Sequence, residues 1–266
     1  MPRFRPTALA LLFLLGAHAA SAADAALESA IRNSHFVFAG TFERIGASNL
    51  SLLPASDATA IVRVREVIDQ PAIFSDLGDA RVTVRLADPA GATEGGQAIF
   101  FSTGLMWGEH LAVEENLRLV SRTPEAEAAE IEQVQREVAR VRALEADEEL
   151  SARLAQTAVV VLGRIGDVRP RTEGREEDFG EHAAAWAKAT IEVETTLKGR
   201  AASAVHFAQD TDHYWRNSPK LAPGQEGIFL LQLYEGRDLP AGSYIVLHAL
   251  DVQPRTELER VRGLLR

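Results

Sequence analysis

The feature that most constrains this 266-residue chain is that it reads as one unit written twice. Phe36-Val37-Phe38-Ala39-Gly40 matches Val159-Val160-Val161-Leu162-Gly163 at an offset of 123 positions. Upstream, Leu27 and Ile31 meet Leu150 and Leu154, both at the i, i+4 spacing of one helical face. Downstream, Val62, Val64 and Ile68 meet Ile191, Val193 and Leu197 at an offset of 129. The six extra residues fall in a polar, glycine- and charge-rich loop, where insertions are tolerated. VTVRL (82–86) then meets VHFAQ (205–209), and Ile99-Phe100-Phe101 meets Ile228-Phe229-Leu230. Finally, Pro124, Ile131 and Val134 meet Pro254, Val261 and Leu264. An ordered series of matches, drifting only across polar loops, predicts two domains of one fold.

Within each copy, Val62-Arg63-Val64-Arg65 and Ile191-Glu192-Val193-Glu194 alternate apolar and charged, as half-buried strands do. The runs ending at Gly40 and Gly163 and the IFLL run at 228–231 are continuously apolar, which predicts strands buried on both faces. Leu117 and Leu119, and Tyr244 and Val246, predict a fifth strand in each copy. The segment from Pro124 to about Ala155 carries Ile131, Val134, Val138, Val141 and Leu144 at spacings of three and four, an apolar stripe on a charged helix. Thr123 suits its N-cap and Pro124 its first turn. The expected fold is mainly β with helices (α+β): two tandem five-stranded OB-like small barrels, each with a C-terminal helix. The expected boundaries are 23–123 for the first barrel, 124–155 for a linking helix and 156–266 for the second barrel.

The segments Val159 to Ile165, Ala189 to Gly199 and Pro223 to Leu231 carry a resemblance. They are similar to domains of exported bacterial proteins that resemble the netrin/tissue-inhibitor-of-metalloproteinase fold, itself an OB-type barrel with helices. The resemblance implies a fold. It implies no protease inhibition, because the animal inhibitors reach the metal with an N-terminal cysteine and this chain has no cysteine.

The first residues, MPRFRPTALALLFLLGAHAASAADA, have the anatomy of a secretory signal peptide. Arg3 and Arg5 precede an eight-residue apolar core, Ala8 to Leu15, and Ala20-Ser21-Ala22 supplies the cleavage pattern. That core is shorter than the roughly 20 residues of a membrane span. Residues 1–22 are therefore expected to be removed, leaving a soluble periplasmic or secreted protein without a membrane span. Three lysines against 25 arginines point to a GC-rich bacterial genome.

The absence of cysteine excludes disulfides, thiolate metal sites and a thiol nucleophile. Stability must come from burial, and 46% apolar residues suffice for one large core or two ordinary ones. A formal charge of −10 and the lack of a basic cluster argue against nucleic acid and anionic membranes as partners. No G-x-S-x-G, S-x-x-K, Walker, G-x-G-x-x-G or H-E-x-x-H pattern occurs. No cofactor is expected.

The densest polar run is QDTDHYWRNSP, 209–219. Asp210, Asp212 and His213 could converge on a cation for a metal-assisted hydrolase, or the run could be a solvated loop. His110 follows Glu109, and His182 follows Glu181, but neighbours on a strand point to opposite faces. Three aromatic positions fit partner binding better: Trp107, Tyr214 and Trp215, all expected in loops at barrel ends. Plugging a barrel end is the other reading, and it extends to Trp186, which leads into a strand. The sequence thus predicts an exported binding or interaction protein whose partner is a protein or cell-envelope component. A metal-assisted hydrolase and a structural envelope protein are the alternatives.

Overall fold

The computed structural model describes residues 24–121, 123–170, 184–209 and 215–266. The expected signal peptide, Tyr214 and the Asp210/Asp212/His213 group lie outside the described residues. The chain is mainly β and divides into two compact units, Met1–Leu144 and Glu145–Arg266.

The first unit opens with helix α1 (residues 24–32). Five strands follow: β1 (Phe36–Ile45), β2 (Thr59–Asp69), β3 (Arg81–Arg85), β4 (Gln97–Trp107) and β5 (Leu111–Val120). They form a closed barrel in the order β1-β2-β3-β5-β4. All neighbours run antiparallel except β3 and β5, which are parallel through Thr83–Ala112, Val84–Val113 and Arg85–Glu114. Closure leaves no long free edge.

Burial on both sides explains the unbroken apolar run in β1. Phe36 and Phe38 point into the barrel with Val62, Val82, Val84 and Phe100. Val37 and Ala39 point outward and are covered by Ile31 of α1 and by Val134, Val138 and Val141. Those three valines lie on helix α2 (Pro124–Gln156). Its N-cap is Thr123, whose hydroxyl accepts the amide of Ala126 at 3.2 Å. The stripe is buried through Val141, whereas Leu144 is exposed. The division between units falls at this point of the helix.

Gly40 sits at a register shift, opposite Val64 on β2 and Ala98 on β4. A Cβ there would lie 2.5 Å from a methyl of Val62 and 3.1 Å from the Arg63 carbonyl, so only glycine lets the strands approach this closely.

The second unit contains the end of α2 and strands β6 (Val159–Pro170), β7 (Trp186–Lys198), β8 (Ala204–Ala208), β9 (Glu226–Leu233), β10 (Tyr244–Val246) and β11 (Val252–Gln253), with helix α3 (Leu258–Leu264). Its sheet order is β10-β8-β7-β6-β9-β11, with an additional pairing of β10 to β9. Val159 and Val161 face one core with Phe207 and Phe229. Val160 and Leu162 face another, with Leu150 and Leu154 of α2 and Val261 of α3. Gly163, opposite Val193 and Gly227, again sits at a register shift. A Cβ on it would stand 2.5 Å from the Glu192 carbonyl oxygen.

Asp251 holds this unit's helix to its last strands. Its fully buried carboxylate accepts Arg153 Nε and Nη2 at 2.6 and 2.7 Å, and the amides of Leu247 and His248 at 2.8 Å each. Four donors thus converge on the buried carboxylate, one on Oδ1 and three on Oδ2.

Candidate functional site

In the first unit, three connections shape the surface around the start of β3 and β5: residues 46–58, residues 70–80 and the turn 108–110. Asn49 pins the first to β3. Its amide donates to the Thr83 hydroxyl at 3.1 Å, and its side-chain amide donates to the Arg81 carbonyl at 3.0 Å. Gln70 ties the second on itself, donating to the Phe74 and Ser75 carbonyls at 3.2 Å each. Asp76 accepts the amide of Gly78 at 2.9 Å, and Asp79 takes a left-handed φ of 61°, which aspartate tolerates better than most residues. Leu77 of the same connection is buried in the barrel core, so this loop closes the barrel end.

An aromatic chain runs from that core to the surface. Phe36 is buried; Phe74 packs edge-on against it at 5.0 Å; Trp107 packs edge-on against Phe74 at 4.7 Å. Trp107 itself remains 59% exposed. The cause lies in strand length. β4 pairs with β1 only from Gln97 to Ser102, and its last residues pair with β5 alone. Trp107 therefore projects beyond the region covered by β1. Ile73, beside Phe74, is 88% exposed.

Trp107 borders a cavity of about 300 Å³, lined also by Leu77, Asp79, Arg81, Glu109 and His110. Its charges are largely paired. Asp79 accepts Arg63 at 2.9 Å, and Arg81 donates to Glu43 at 2.6 Å. The hydrogen bond from Arg81 holds the Glu43 carboxyl below the usual glutamate range. Glu109 and His110 make no hydrogen bond to one another among the described residues. Among the described residues, no group of three or more histidines and carboxylates could hold a metal ion.

The other predicted positions behave differently. Trp215 is half-buried, and its carbonyl accepts Ser218 Oγ at 2.7 Å and Lys220 Nζ at 3.0 Å. With Asn217, Ser218 and His248 it lines an open hollow of about 530 Å³. Trp186 is buried against Leu239 and Ile245, and its indole N–H donates to Asp238 at 2.5 Å, so it plugs its own unit. His206 is likewise buried in β8, and His248 caps the turn that presents Asp251.

Ile73, Phe74, Leu77, Asp79 and Arg81 are site residues that sequence reasoning did not single out. The available signal was QPAIFSDLGDA, in which three large apolar residues, Ile73, Phe74 and Leu77, interrupt a proline-, glycine- and aspartate-rich connection. No protein-family model and no curated protein matches the chain. Among the described residues, no helix is long and apolar enough to cross a membrane.

Proposed function

We propose that this is an exported bacterial binding protein that recognises a protein or cell-envelope component through the loop surface around Trp107. The observation that carries the reading is a large aromatic ring held 59% exposed on a fixed aromatic support, at the rim of a cavity. Fixed aromatics with few rotamers to order are favourable anchors for a partner. Export rests on residues 1–22, with their basic start, apolar core and Ala-Ser-Ala cleavage pattern, and assigns the mature chain to the periplasm or the medium.

In this reading both units are copies of one OB-type barrel, akin to the netrin-like domains. Three observations support the duplication. In the second unit, β6 pairs β7, β7 pairs β8, β8 pairs β10 in parallel, β10 pairs β9 and β9 pairs β6, the same succession as β1 to β5 in the first. Gly40 and Gly163 both occupy close approaches at register shifts. Their opposing residues, Val64 and Ala98 against Val193 and Gly227, are the positions that the sequence match equates.

A pull-down from periplasmic extract tests the binding role. The wild-type chain is expected to retain a partner that Trp107→Ala loses and Trp215→Ala keeps. Retention of every partner by Trp107→Ala would refute the assignment of the surface.

A further inference from the structure

We infer that the cavity beside Trp107 receives a cationic side chain, lysine or arginine, presented by a basic segment of a partner protein. The inference rests on the binding reading above and adds the chemistry of the ligand.

Three features of the cavity argue for a cation. The first is the aromatic wall. Tryptophan is the most favourable ring for a cation over its face, and Trp107 rests edge-on against Phe74. The second is charge. Of the charged groups in the lining, Asp79 is engaged by Arg63, and Arg81 is engaged by Glu43. Glu109 also lines the cavity and has no ion-pair partner among the described residues. The uncompensated charge there is negative, and a carboxylate beside an exposed indole completes a receptor for an ammonium or guanidinium group. The third is size and polarity. About 300 Å³ fits one long side chain, and Leu77 and Leu111 offer apolar surface for its methylene stem. The formal charge of −10 on the whole chain draws basic partners toward it and repels acidic ones. A sugar ring stacking on Trp107 would need the aromatic face but would gain little from Glu109 being ionic, so charge dependence separates the two.

The test uses the full chain labelled with 5-fluorotryptophan, the Trp107 resonance being assigned from Trp107→Phe. Tetra-arginine, tetra-glutamate and chitotetraose are titrated separately. Tetra-arginine is expected to shift the Trp107 resonance saturably. Its affinity should fall about threefold in Glu109→Gln by the same resonance, and about fivefold in Trp107→Leu by isothermal titration calorimetry, which needs no indole at position 107. It should weaken as salt rises from about 50 to about 300 mM. Glu132→Gln, an exposed carboxylate on α2, should leave it unchanged and so exclude diffuse attraction to an acidic protein. The inference is overturned by no saturable shift with tetra-arginine, by an equal response to tetra-glutamate, or by affinity indifferent to Glu109→Gln. A shift produced by chitotetraose alone would also overturn it while leaving the binding surface in place. A partner captured through Trp107 that tetra-arginine does not displace would defeat the cation and spare the binding reading; loss of both would defeat both.

Discussion

Placing a methyl group on Gly163 tests the strand approach on which the second unit is built. The alanine Cβ would lie 2.5 Å from the Glu192 carbonyl oxygen and 3.1 Å from the Ile191 Cγ2 atom. The first contact is with backbone in the middle of β7, which no rotamer change relieves, so β6 and β7 must part by roughly 0.9 Å to reach the short end of ordinary van der Waals contact at about 3.4 Å. Overpacking by one carbon costs about 1–3 kcal/mol, and a backbone obstacle places this case near the upper end. The smaller conformational freedom of unfolded alanine returns about 0.4–1 kcal/mol. The net loss is about 2 kcal/mol. For Gly40→Ala the 2.5 Å contact is with a side-chain methyl of Val62, which can yield, and the nearest backbone atom is at 3.1 Å, so the loss is about 1 kcal/mol. Gly263→Ala is the control: its Cβ meets nothing within 4 Å in α3, and it should gain about 0.5 kcal/mol. Urea unfolding of a Trp107→Phe, Trp215→Phe background follows the second unit through buried Trp186. With an m-value of about 2 kcal/mol/M, Gly163→Ala should lower the midpoint by about 1 M. A midpoint equal to or above that of the parent would refute the reasoning.

Asp251→Ala should cost about 3–5 kcal/mol by the same assay, because it strands Arg153 and two amides in a buried site; a loss under 1 kcal/mol would mean the clamp is not structural. Glu115 is buried in a pair with Arg118 at 3.3 Å, and burial pushes its carboxyl above the usual glutamate range despite that arginine. A raised folded-state value favours folding below the ordinary glutamate pKa and loses that favour as pH rises through the raised value. Glu115→Gln should therefore gain on the wild type in thermal midpoint between about pH 4 and pH 7. Hydrogen bonds from Arg140 lower both Glu28 and Glu137, whose contribution is present above the ordinary glutamate value and lost as pH falls through the lowered ones. Arg140→Gln should flatten the acid limb of the stability profile below about pH 4.5, an effect read by thermal melts across that range.

Much of the β framework was legible because its physics is local. Alternation in β2 and β7 follows from one face meeting a core and the other meeting solvent. The unbroken runs in β1, β6 and β9 follow from helices covering the outer face of strands that already line a core. The Thr123 cap was legible from the Thr-Pro pair. The Asp251 clamp was not, because a buried aspartate 98 positions from its arginine leaves no periodic trace. The site was half legible. Trp107, expected in a loop, is instead the last residue of β4, paired with Leu111, and its exposure depends on β4 outrunning β1, which is a property of register. Phe74, its support, is joined to it only through the closure of the barrel. Trp186 looked alike in sequence and is buried, because Leu239 of the β9–β10 connection and Ile245 of β10 come to it from far along the chain.

Photo-crosslinking from position 107 addresses the recognition surface most directly. Benzoylphenylalanine replacing Trp107 is expected to yield a discrete higher-mass adduct in intact cells, while the same group at exposed Leu233 of the second unit yields none. Equal adducts from both positions, or none from 107, would contradict a partner seated on the loops of the first barrel.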